Sequence, residues 1–182
     1  ALVGHRVCAL AGHATGSTAE MDRFSVEHHG RSGHRIHVFD GDRHYNSVVT
    51  VGAANGRYDK RHLVPFGEYF PIPDFLRPLM DVLETPYSDF DFGAADQPLL
   101  KLDGHAIETS ICFEDVFGSE IAERARDAAY LVNVTNDAWF ADSSAPHQHL
   151  AFSRLRAMET GRWFLRSANT GISALVSPHG EG

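Results

Sequence analysis

Four side chains in this sequence are of types and at spacings that could carry covalent acyl chemistry: Lys60, Glu68, Cys112 and Glu114. Cys112 stands in Ser110-Ile111-Cys112-Phe113-Glu114-Asp115, where a strand is expected to end shortly before a helix. A nucleophile gains from that position, because it is exposed at the rim of a rigid sheet and the following backbone N–H can face a developing oxyanion. A lone cysteine is nevertheless more often a small buried apolar residue. Glu114 and Asp115 oppose a thiolate beside them, since like charges repel, so a cation or a general base is required. Lys60 is the candidate cation. It lies in Tyr58 to Tyr69 (YDKRHLVPFGEY), where Pro65 and Gly67 exclude a long helix and favour an ordered loop. Glu68 follows in the same loop and could move a proton or hold an amine, although a solvated carboxylate is the commoner fate of a glutamate.

Other residues compete for attention. Trp139 lies in Asn136-Asp137-Ala138-Trp139-Phe140, which forms either a pocket wall or an anchor for a loop. The twelve histidines suggest metal binding, but they show no zinc spacing, and His147 and His149 would not share a helix face. No metal or other cofactor is expected. Arg154, Arg156 and Arg162 read as a solvated helix face or as salt-bridge partners.

These residues need a scaffold, and 182 residues are enough for one domain with a real core. Charged residues make up 22% of the chain, and the formal net charge of -8 argues against nucleic acid as a partner. Cys8 and Cys112 sit in unlike contexts and are expected to be free thiols. No run approaches the roughly 18 to 20 apolar residues that span a bilayer, and the first ten residues lack the layout of a signal peptide. Taken alone, the chain reads as soluble.

The pattern predicts strands over His34 to Phe39 and Tyr45 to Val51, paired through a tight turn, with Gly52 to Asp59 as a second turn region. A short helix is expected near Phe75 to Leu83, inside a stretch broken by prolines. Strands follow over Leu99 to Leu102 and Ala106 to Cys112, with Asp103-Gly104 between them. Ser119 should cap a helix over about Glu120 to Ala129, and Tyr130 to Thr135 should be a buried strand. A loop over Asn136 to Pro146 leads to a helix over His147 to Thr160, whose Leu150, Leu155 and Met158 recur at helical spacings and which Gly161 should end. Two more strands are expected over Trp163 to Ser167 and Gly171 to Ser177. The order suggests an α/β or α+β chain around a buried sheet.

As a set, YDKRHLVPFGEY (58 to 69), ICFEDVFG (111 to 118), NVTNDAWF (133 to 140), PHQHLAFSRLRAMETGR (146 to 162) and ANTGISA (168 to 174) resemble the nitrilase-like domain of the bacterial apolipoprotein N-acyltransferase family. The resemblance runs from about Tyr45 to Gly182. It implies a four-layer α-β-β-α sandwich of the nitrilase (carbon-nitrogen hydrolase) type, present as one partial domain over residues 1–182. Residues 1–40 match poorly, and the membrane helices expected on both sides are absent. In this family Lys60 corresponds to the lysine and Cys112 to the nucleophile of a Glu-Lys-Cys triad. Glu68 and Glu114 correspond to supporting glutamates, and Trp139 fits a position near the lipid opening. Lys60 and the Phe113 N–H would stabilise the oxyanion. The triad's own glutamate is expected farther upstream than the 59 residues preceding Lys60 allow, so Glu20 and Glu27 are not assigned to it.

The resemblance implies a ping-pong reaction on the periplasmic side of a bacterial inner membrane. Cys112 would take an acyl chain from a phospholipid as a thioester and pass it to the α-amine of a diacylglyceryl-modified apolipoprotein cysteine. Two other functions compete. A nitrilase-type amidase or carbamoylase would use the same thiol and hydrolyse its acyl-enzyme with water. A catalytically degenerate domain would only bind lipid or protein, and the missing glutamate favours it.

Overall fold

The computed structural model describes residues 43–50, 56–72, 90–140 and 143–182 in full, together with the strand paths of residues 8–11, 24–28, 34–40 and 51. The helix expected near Phe75 to Leu83 lies outside these residues. At the centre is a five-stranded sheet of β7 (Leu100–Leu102), β8 (His105–Ile111), β9 (Tyr130–Thr135), β10 (Phe164–Ala168) and β11 (Ala174–Val176), in the order β11-β10-β9-β8-β7. Strands β8, β9 and β10 run parallel, and the two edge strands pair antiparallel. Parallel neighbours require crossovers, and here α1 (Gly118–Arg124) links β8 to β9 while α2 (Ala145–Thr160) links β9 to β10.

The sequence of β9, YLVNVT, is buried on both faces, and its residues alternate between two cores. Val132 and Val134 join Ile107, Ile111 and Leu100 against Val48 and Tyr58 of a smaller sheet. Leu131 joins Phe164 and Val176 against Ile121, Ala125, Leu150 and Ala157 of the helical layer. The smaller sheet contains β1 (Cys8–Ala11), β5 (Ser47–Val51) and β6 (Gly56–Asp59), in the order β1-β5-β6. A third sheet pairs β2 (Phe24–His28), β3 (His34–Asp40) and β4 (Arg43–Tyr45). Among the described residues the layers are therefore helix, sheet and sheet, three of the four that the resemblance implies.

Several local expectations change. The run from Tyr45 to Val51 divides: the expected antiparallel pairing with β3 holds only as far as β4, Asp40 facing Arg43, while β5 enters the other sheet. Gly56–Asp59 is a strand rather than a turn. The glycine permits it, because a Cβ at position 56 would lie 2.9 Å from Leu100 Cδ2 of the facing sheet. Ser119 does not cap α1, which begins at Gly118 with Phe117 as N-cap and no side-chain cap bond, and which ends at Arg124. In α2 the buried face is His149, Leu150, Ser153, Arg156 and Ala157, while Leu155 and Met158 are exposed. Pro146 occupies the first turn, where its missing N–H costs nothing, and Gly161 ends the helix in the left-handed region at φ 63°.

Candidate active site

Strand β8 ends at Ile111, one residue before the end expected at Cys112, and Cys112 opens the 3₁₀ turn Cys112–Val116. Cys112 has φ 55°, a left-handed conformation that costs a residue with a Cβ of order 1–3 kcal/mol. The thiol is free, and the residue is half-buried against the inter-sheet core. Its carbonyl oxygen accepts two side-chain bonds, from Asn133 Nδ2 of β9 at 2.9 Å and from His149 Nε2 of α2 at 3.1 Å.

Lys60 is no surface cation. It follows β6 directly and is 1% exposed, with its backbone tied on both sides by Lys60 N–H to Asn46 O (2.8 Å) and Gly93 N–H to Lys60 O (2.8 Å). Its ammonium donates to Glu68 Oε2 at 2.6 Å and lies 5.4 Å from the centre of the Phe113 ring, one residue from Cys112. Glu68 is equally buried. It also accepts from Val64 N–H (2.8 Å) and Asn46 Nδ2 (2.7 Å), so one carboxylate anchors both the lysine and the loop that carries it.

The Glu114 carboxylate is fully engaged by donors. Its Oε1 accepts from the Arg61 and His62 backbone N–H groups at 2.7 and 3.0 Å. Its Oε2 accepts from Ile111 N–H at 2.8 Å and Tyr58 Oη at 3.1 Å. The Tyr58 hydroxyl remains a donor because burial and then the Glu114 charge hold its pKa far above the ordinary value. Glu114 thus pins the Cys112 turn to the Lys60 loop. Trp139, in the 3₁₀ turn Asp137–Phe140, lies on the same loop: a Cβ at Gly67 would be 3.0 Å from Trp139 Cη2. Phe66, Trp139 and Phe140 are all exposed, Phe66 at 68% and with φ 60°.

Behind the cysteine is a buried ionic network that sequence reasoning did not find. Arg166, on the helical face of β10, donates to Asp137 Oδ2 (3.0 Å), Asp115 Oδ2 (3.4 Å), Asn133 Oδ1 (3.1 Å), Ser153 Oγ (3.3 Å) and Ile172 O (3.2 Å). His149 donates through Nδ1 to Asp137 Oδ1 at 2.9 Å, with Asp115 Oδ1 an ionic rather than hydrogen-bonded neighbour of Nε2 at 3.1 Å. Both ring nitrogens face acceptors only, which requires the imidazolium. Burial opposes that charge, but Asp115 and Asp137 outweigh it and raise the His149 pKa to about 10. Burial likewise pushes Asp137 up, but the His149 bond and charge, with Arg166 and Thr135, bring it below its ordinary value. Gly171 leaves room for this carboxylate, since a Cβ there would collide with Asp137 Oδ2. The available signal was an arginine at an inward position of a core strand, which demands buried anions.

A cysteine at the end of a sheet strand, beside a buried lysine–glutamate pair, is an arrangement shared by a class of thiol enzymes, and residues 26–181 match the carbon-nitrogen hydrolase family. The chain belongs to that family. Solved structures agree on the fold. A carbon-nitrogen hydrolase from Helicobacter pylori G27 superposes with a TM-score of 0.59 at 14% identity, over 80% of this chain and 54% of that one. A CN-hydrolase superfamily protein from Xanthomonas campestris gives 0.59 at 16% identity, over 94% and 64%. Within the family, the chain is similar to proteins named apolipoprotein N-acyltransferase. That of Methylococcus capsulatus is 52% identical over 141 residues, that of Pseudomonas aeruginosa 44% over 148, and that of Pseudomonas putida 40% over 179. These alignments cover 78%, 81% and 96% of this chain but only 28%, 29% and 35% of the relatives, so the chain spans about a third of their length.

Proposed function

We propose that this chain is the acyl-carrying part of a bacterial apolipoprotein N-acyltransferase, one partial catalytic domain with Cys112 as nucleophile. The observation that carries the reading is Cys112 at φ 55°, one residue from a ring that lies beneath the buried Lys60–Glu68 pair. A surface loop would not bury this pair without a use, because desolvating two charges costs more than a comparable apolar packing. Resemblance to the named relatives supplies the substrate class, and the exposed Phe66, Trp139 and Phe140 fit an apolar acyl chain.

In the first half-reaction the Cys112 sulfur bonds to an ester carbonyl carbon of a phospholipid. The carbonyl oxygen becomes an oxyanion facing Lys60 Nζ and the Phe113 N–H. The intermediate collapses by breaking the ester C–O bond, and the lysophospholipid alkoxide leaves with a proton. In the second half-reaction the acceptor α-amine attacks the thioester, forms the amide, loses its proton and releases the Cys112 thiol. Glu68 already accepts from three donors and Glu114 from four, so both act as supports, and the proton is carried by a further carboxylate, as the family resemblance implies. Among the described residues no helix is long and apolar enough to cross a membrane. The membrane placement, with the domain facing the periplasm, belongs to the proposal and rests on the relatives.

The test is intact-mass analysis after mixing the full-length protein, including the upstream carboxylate that the resemblance implies, with vesicles of a labelled phospholipid, followed by a diacylglyceryl-cysteine peptide; residues 1–182 alone are expected to turn over little. An acyl adduct on Cys112, labile to hydroxylamine, absent in Cys112→Ser and discharged to the peptide amine, is the expected result. Discharge to water instead would indicate an amidase-type hydrolase, and no adduct would indicate a degenerate binding domain.

A further inference from the structure

The mechanism above uses Lys60, Cys112 and Phe113 but gives no task to the charged cluster behind them. One of its members and an amide bonded to it also reach the cysteine. Asn133 and His149 come from different elements, a strand and a helix, and both donate to one atom, the Cys112 carbonyl oxygen. A carbonyl between two residues of ordinary extended or helical backbone would find its partner in a ladder. This one belongs to a residue in the left-handed region, outside the ladder, and side chains hold it instead.

The peptide bond makes that contact consequential. Cys112 C=O and Phe113 N–H belong to one rigid plane, and across a trans bond they point in opposite directions. Pulling the oxygen toward β9 and α2 therefore aims the Phe113 N–H away from them. We propose that His149 is a positioning residue for the nucleophile: held between Asp115 and Asp137, it donates to the Cys112 carbonyl and with Asn133 fixes the 112–113 peptide plane, so that the Phe113 N–H faces the developing oxyanion. Arg166 serves the same end one step back, since it fixes Asn133 Oδ1 and leaves the Asn133 amide nitrogen for Ser110 Oγ (3.0 Å) and Cys112 O. The oxyanion part of this inference rests on the acyl-transfer reading; the geometric part does not.

The test separates the two. With ¹³C-carbonyl cysteine and ¹⁵N-phenylalanine labels, the Cys112–Phe113 pair gives a single correlation peak. In the folded His149→Ala protein that peak shifts, and in His149→Gln, whose amide can still donate, it stays nearer the wild-type position. An unmoved peak in His149→Ala overturns the proposal. If His149→Ala does not fold, the wild-type ring decides: slowly exchanging protons on both nitrogens at pH 7 support the assignment, and a bare Nε2 overturns it, because such a ring cannot donate to the carbonyl. In single-turnover acylation His149→Ala falls about 100-fold with phospholipid KM unchanged, the size of losing one oxyanion donor, and His149→Gln recovers part of it. A wild-type rate in folded His149→Ala, or a loss matching only its unfolded fraction, rejects the positioning role. If wild type itself forms no acyl adduct, the functional reading fails while the peak position still decides the geometry.

Discussion

Cys112 lies between two buried charged regions built on opposite plans. In front, Lys60 and Glu68 come from one loop, eight residues apart, and the carboxylate is completed by that loop's own Val64 N–H and by Asn46. Behind, Asp115, Asp137, His149 and Arg166 come from separate elements and meet only when the parallel sheet and α2 are assembled. The front pair offers its cation toward the Phe113 ring. The rear network turns its charges on one another and reaches the cysteine only through a carbonyl. Proximity in sequence thus goes with the group proposed to touch substrate, and dispersion with the group that supports it.

The largest expected effect falls on the rear network. Arg166→Met removes donors to five acceptors and leaves two carboxylates with one cation, which should cost about 5 kcal/mol of stability, the upper end for breaking a buried pair. Urea denaturation measures it. Lys60→Met leaves Glu68 with two donors and should cost about 3 kcal/mol, yet it should abolish the acyl adduct on Cys112. Equal stability losses, or an adduct that survives in Lys60→Met, would break the comparison.

A pH series sharpens it. The folded pKa of His149 lies at about 10, above its ordinary 6.5, so the folded state binds this proton more tightly than the unfolded chain does. The resulting stability is complete below about pH 6.5 and is lost as pH rises through about 10. The melting temperature of wild type relative to His149→Gln should therefore fall across that window. A gap that stays constant from pH 6 to pH 10 contradicts the charged ring. The smallest effect belongs to the loop: Gly67→Ala places a Cβ 3.0 Å from the far end of the Trp139 ring, a partly exposed side chain that can shift. The expected loss is under about 1 kcal/mol, read as a small drop in melting temperature.

The same contrast explains what the sequence disclosed. The order of strands and helices from Leu100 onward follows from apolar runs punctuated by Gly and Pro, and those signals are local. So is the loop motif around Lys60 and Glu68. The partners of Asp115, Asp137, His149 and Arg166 are not local, and the separations of 22 to 51 residues between Asp115 and Asp137, and between Asp115 and Arg166, leave no periodic trace. The structural role of Glu114 was hidden for a related reason. Its four donors include three backbone N–H groups, which no side-chain pattern reveals. The misjudged face of α2 has the same origin, because two of its buried positions are His149 and Arg156, which an apolar pattern passes over.

The alternation of β9 has a consequence for folding. Shifting the strand by one residue against β8 and β10 would turn Asn133 into the aliphatic inter-sheet core and Val134 toward the Arg166 guanidinium. Each exchange strands a polar group without partners, so the misregistered sheet is penalised on both faces at once. The ionic cluster is therefore also an alignment key. The strand can close the sheet in one register, and only that register brings the Asn133 amide under the Cys112 carbonyl.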